Sequence, residues 1–296
     1  MPVGFWQHVL ESDMAVPQGR PLNELTAELV TMLGSSDAAD RDQTALPVLT
    51  AWIAEGVYDD LLISLGDSLA HGLSYGLGRH DDDTVFRRSF SALALAACVK
   101  RDNVARVLPV DAVLNWADRA LSWYVREQDL RGRIDDKGWA DAVGSGADLM
   151  GVLAQSHHLG TPHLGVLLEV MGERMTLSSA RILTDGEDDR TAAATLTILQ
   201  RNLVATEQVE SWVADVGKTL VRPRGYSEDS WPSPSARNTS AYLRALYIHL
   251  AIGVRPAGAT ISFAEPPDCR ADLLLALLAV LPRLTPLLYG GTGVRS

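Results

Sequence analysis

Apolar residues recur along the chain with the period of a helix, almost from end to end. Leu22, Leu25, Leu29, Val30 and Leu33 lie on one helical face, and Gly34 stands where a helix stops. Residues 41–55 continue the period, with Pro47 as a kink or a restart. Leu61, Leu62, Leu65, Leu69 and Leu73 mark the next helix, which runs out in the glycine-rich stretch 72–78. Thr84 is placed to cap a helix carrying Phe86, Phe90, Leu93 and Ala97. Further helices are predicted over about 110–127, 139–155, 163–175, 188–203, 206–220, 236–252 and 270–281. No stretch alternates apolar and polar residues in the manner of a half-buried strand, and Ala and Leu, both helix formers, dominate.

The expectation is an all-α chain with one domain over residues 1–296. Stacked helix pairs, HEAT-like or α/α-superhelical, are its leading architecture, and a globular helical bundle is the alternative. Polar breaks separate the helices: DLRGRIDDKG after residue 127, DGEDD near 185, and the long connections RPRGYSEDSWPSPS and RPAGATISFAEPPD.

Composition narrows the function. Hydrophobic residues are 47% and charged residues 21% of the 296, enough apolar material for a large core. The formal net charge of −11 repels phosphate and argues against nucleic-acid binding. Two cysteines exclude a disulfide framework and a cysteine-based zinc module. The N-terminal residues lack a basic stretch followed by an apolar run, so no secretory signal is expected. The longest apolar run, residues 273–281, is too short to cross a bilayer. The expected compartment is the cytoplasm, with both thiols reduced.

Candidate chemistry concentrates in EQDLRGRIDDKGWADAVGSGAD, residues 127–148. A charged loop leads into a helix that Trp139 is expected to open. On that helix Asp141, Ser145 and Asp148 share one face. One reading is a polar pocket: Asp141 and Asp148 supply oxygen ligands or acid/base groups, and Arg131 or Lys137 binds an anion near the helix start. The other is a charged turn tied by its own salt bridges, with Asp129 or Asp148 capping backbone amides. His157, His158 and His163 could bring two imidazoles together across a turn. With no cysteine near, however, HHLGTPH reads as a surface turn, and no metal site is expected. His71 follows Asp67 by one helical turn as a local pair, and His249 reads as a core histidine. The acidic run before Thr84 suits a helix start and lacks the spacing of a calcium loop. Nucleophile elbows, phosphate loops and dinucleotide fingerprints are absent.

Four blocks carry a family resemblance: RDQTALPVLTAWIAEGVY, DDTVFRRSFSALALAACVKRDN, EQDLRGRIDDKGWADAVGSGADLM and RNTSAYLRALYIHL. In their order and spacing, over roughly residues 40–252, they resemble the bacterial domain of unknown function 2785. The resemblance implies a single helical domain of a soluble bacterial protein and carries no activity. It also implies that Arg88, Ser89, Asp129, Arg131 and Arg244 share one polar interior. In that family the Trp-Ala block commonly continues with two histidines, where this chain has Asp141 and Ser145, while Asp148 is retained. A hard cation suits what is left better than a transition metal does.

The expected function is a helical-repeat binding or interaction protein. Its polar concave site would be formed by Arg88, Asp129, Arg131, Lys137, Trp139, Asp141, Ser145, Asp148 and Arg244. The partner would be a small molecule, a peptide or a protein, with no membrane or nucleic acid involved and no cofactor indicated. The alternative is a small-molecule enzyme using Asp129, Asp141 and Asp148.

Overall fold

The computed structural model describes residues 4–223, 225, 231–254, 265–285 and 288. Residues 224, 226–230 and 255–264 of the two long connections lie outside them. The described chain is all-α apart from one short hairpin. Its contacts divide it into two compact units, residues 1–158 and 159–296.

The first unit holds α1 (Phe5–Glu11), α2 (Leu22–Met32), a single turn α3 (Ala38–Asp40), α4 (Leu46–Ala54), α5 (Leu62–Gly72), α6 (Thr84–Ala105), α7 (Val110–Arg126) and α8 (Ala142–Ala154). Between α7 and α8, β1 (Arg133–Ile134) and β2 (Gly138–Trp139) pair antiparallel. The centre is α6, which packs against α4, α5 and α8. Before its last two turns it is buried on most sides, with Val85, Phe86, Phe90, Ala92, Leu95 and Val99 inside, as a helix at the middle of a layered core must be. Small residues bring the helices close. Gly66 of α5 lies against Trp116 of α7, and Gly146 of α8 lies against Tyr124 of α7. A Cβ at either glycine would overlap the ring. The Trp116 indole donates to Asp67 Oδ1 at 2.8 Å, so Asp67 serves the helix contact and not His71.

The second unit holds α9 (Thr161–Thr176), α10 (Glu187–Leu199), α11 (Thr206–Val216), α12 (Pro234–Ile252) and α13 (Arg270–Val280). α12 packs on α9, α10 and α13. The Tyr242 hydroxyl meets Thr195 Oγ1 at 2.7 Å, and its ring stands edge-on to Trp212.

Three boundaries differ from expectation for local reasons. Thr84 lies inside the first turn of α6, and Asp82 Oδ1 accepts its amide at 2.9 Å. α8 starts at Ala142, because Trp139 belongs to β2. A turn of π-helix, Arg41–Ala45, precedes α4 where Pro47 has no N–H to give the turn before it. His249 is half-buried and pairs with Asp189 at 3.2 Å, so it is not a core residue. Trp231 is half-buried as well.

Both thiols are shut away. Cys98 is buried in α6, and burial pushes its thiol well above the ordinary range. Cys269, buried at the start of α13, is also pushed up, first by burial. Among the described residues no helix is long and apolar enough to cross a membrane.

Candidate functional site

The predicted block 127–148 forms a layered polar network in the first unit. Its floor is an ion pair. Arg88 of α6 is fully buried and meets Glu127, at the end of α7, through Nε–Oε2 at 2.5 Å and an N–H to Oε1 at 2.8 Å. Its remaining nitrogen donates to the Tyr75 carbonyl at 2.9 Å and Thr84 Oγ1 at 3.0 Å. Glu127 also accepts from the Trp123 indole at 2.8 Å and from the amides of Gln128 and Asp129 at 3.0 and 2.9 Å. Such saturation is what allows a charge pair to sit in the interior.

The next layer is Asp129 with Arg131. Asp129 is buried and takes Arg131 Nε at 2.8 Å and a second N–H at 2.6 Å. That bidentate bond raises the Arg131 pKa against the opposing effect of burial. Arg131 also reaches the Asp82 carbonyl at 3.0 Å, tying the loop before α6 to the loop before the hairpin. Above it Lys137 is about two-fifths exposed and straddles both oxygens of Asp83, at 2.9 and 2.7 Å.

The hairpin is held from beneath by a residue that sequence analysis did not single out. Arg41 is fully buried and donates to the carbonyls of Ser35 and Lys137 at 2.7 Å each, with a longer contact to the Trp139 carbonyl at 3.5 Å. Its guanidinium carbon lies 3.9 Å from the Phe86 ring centre and 4.7 Å from that of Phe90. Burial lowers its pKa, and Asp42 chiefly opposes that. Gly138 has φ +80, and its missing Cβ would stand 3.2 Å from the Arg41 guanidinium, so glycine is what lets the strand lie so close. A signal was present in the sequence. Arg41 falls on the apolar face with Ala45, Val48, Leu49 and Trp52, all buried.

Asp141 begins α8. Its Oδ1 accepts the Gly144 amide at 3.0 Å, and its backbone is left-handed at φ 39. Ser145 is buried and shares a 2.8 Å hydrogen bond with Ser89 of α6, which also reaches the Asp141 carbonyl. Asp148 is half-buried on α8. The structure therefore brings together Arg88, Ser89, Asp129, Arg131, Lys137, Asp141 and Ser145 in one region of the first unit. Arg244 is exposed on α12 of the second unit, at the surface and not in a polar interior.

Trp139 is also turned outward. The residue is 44% exposed although its backbone is held by the β1–β2 pairing and faces Arg41. The burial of Asp141 as a helix cap makes a clear prediction. Asp141→Ala loses the cap and places a Cβ residue without local bonding in the left-handed region, destabilising the protein by about 1–2 kcal/mol. Asp141→Asn keeps both functions and stays within about 0.5 kcal/mol of the parent. Urea denaturation of the two variants measures the difference, and equal losses would contradict the capping role.

The chain matches the family described as protein of unknown function DUF2785 over residues 73–248, more than half its length, and belongs to that family. No curated protein and no solved structure matches it.

Proposed function

We propose that the protein is a binding module on a helical scaffold. It engages a small molecule or a peptide segment of a protein partner at the hairpin face that carries Lys137 and Trp139, and it works in the cytoplasm. The observation that carries this reading is the exposed indole of Trp139 on a backbone fastened by Arg41 and by strand pairing. An aromatic presented on ordered backbone loses little entropy on contact, the property that makes tryptophan a frequent anchor in interfaces. The Asp83–Lys137 pair beside it is accessible to exchange partners with a ligand.

The carboxylates named for the enzyme alternative favour structural work. Asp129 is held in a two-point clasp by Arg131, and Asp141 caps a helix. A general acid or base has to reach a substrate proton, and both oxygens of Asp129 are turned to the protein. The net charge of −11 supports a partner other than nucleic acid.

Screening of metabolite and short-peptide libraries by thermal shift tests the proposal. A ligand at a hundredfold excess over its Kd adds about 2.7 kcal/mol of stability, enough to read clearly. The expected hit loses at least about tenfold in affinity with Trp139→Ala, a change of about 1.4 kcal/mol. The reading fails if every ligand found binds Trp139→Ala as well as it binds the parent.

A further inference from the structure

Away from the hairpin, the end of the first unit gathers three metal-ligating side chains. Asp102 lies in the last turn of α6, where Arg106 in a left-handed conformation returns its amide to the Asp102 carbonyl at 2.8 Å. The Asp102 carboxylate is fully buried. Its Oδ1 accepts the Leu108 amide at 2.7 Å, which fixes the plane of the carboxylate, and its Oδ2 stands 3.1 Å from His158 Nε2. His158 and His157 follow α8 in a turn, and their ring centres are 3.8 Å apart. One donor atom from each of the three residues lies within 4.8 Å of the other two.

We infer that Asp102, His157 and His158 form a binding site for a divalent transition metal, with Zn2+ as the ion it fits best. The donor set is two imidazoles and one carboxylate, the combination that suits borderline metals and leaves coordination positions open. The spacing of Asp102 and His158 agrees. With metal–ligand bonds of about 2.1 Å, two ligand atoms are about 3.0 Å apart at a right angle and about 3.4 Å apart at the tetrahedral angle. The 3.1 Å between Asp102 Oδ2 and His158 Nε2 falls within that range. Charge agrees as well. Among the described residues, Asp102 meets the His158 imidazole and the Leu108 amide but no lysine or arginine, so a bound cation brings a fixed positive charge to this buried carboxylate. The Leu108 amide acts as the outer-shell bond that orients the ligand. His157 is exposed, so the open positions face solvent and the ring is able to turn onto the ion. The site lies apart from the hairpin residues and does not depend on the binding function proposed for them.

Calorimetric titration of the chelator-treated full-length protein with ZnSO4 alone tests the inference. The expected result is one ion per chain with Kd of about 1 μM or tighter, and Co2+ in its place giving visible absorption bands of a nitrogen- and oxygen-ligated ion. His157→Gln, Asp102→Asn and His158→Gln each weaken binding by about tenfold or more. His157→Gln alters an exposed side chain, and Asp102→Asn keeps the acceptor for the Leu108 amide, so both variants retain the fold as judged by circular dichroism. Absence of one-to-one binding by the parent overturns the site. So does undiminished binding by a folded variant of any of the three, which would leave Asp102–His158 as a hydrogen-bonded structural pair.

Discussion

Arg88→Met lowers stability by about 3–5 kcal/mol, because it takes the two-point guanidinium partner away from the buried Glu127 carboxylate. Glu127 lies 2% exposed, its Oε2 shared between Arg88 and the Trp123 indole. Removing the guanidinium also strips the Tyr75 carbonyl of its side-chain donor. Glu127→Leu is damaging for the complementary reason, since it strands the Arg88 charge, the Trp123 N–H and two backbone amides. The double variant loses less than the two single losses added together, by about 0.5–3 kcal/mol, because both members of the pair are then gone together. Urea denaturation at neutral pH provides the comparison. Strict additivity, or a loss below about 1 kcal/mol in Arg88→Met, would mean that the pair is solvated and not part of the core.

Arg41→Met is expected to cost about 3 kcal/mol through the loss of charged hydrogen bonds and of stacking on two phenylalanine rings. The effect should be local. Arg41 joins the turn at Ser35 to the carbonyl of Lys137, itself 96 residues further along the chain than Arg41, so its loss unfastens the hairpin from α3 and α6. Hydrogen exchange at the amides of Lys137, Ala140 and Asp141 should quicken by about tenfold or more, while amides of α10 and α12 keep their parent rates. Uniform quickening across the chain would instead indicate global destabilisation. Because Trp139 is proposed as the anchor of a ligand, the same variant should weaken binding with the indole still present.

The fold was largely legible because its signal is local. Leu22 to Leu33, Leu62 to Leu73 and the helices of the second unit carry periods that survive in the structure with ends shifted by a few residues. The misplaced starts at Thr84 and Trp139 were decided by bonds to residues outside each helix, namely the Asp82 carboxylate accepting the Thr84 amide and the backbone strand pairing of Arg133 with Trp139. Periodicity contains no such information. At the candidate site, the residue types and their shared location around 127–148 could be read from the chain, but their partners could not. Arg88 and Glu127 are 39 residues apart, and Arg41 and Lys137 are 96 apart. Asp102 was hidden for the same reason, since its neighbours in sequence give no hint of the two histidines 55 and 56 positions ahead.

The enclosure of Cys98 and Cys269 has a practical consequence for following this protein at work. Thiol reagents attack the thiolate, and both native sulfurs are shielded and held in the protonated form. A single cysteine introduced at the surface, at Asp135 or Asp136 on the tip of the hairpin, would therefore be the one handle a maleimide dye or spin label finds. The reporter would sit a few residues from Trp139, in a background that needs no cysteine removed.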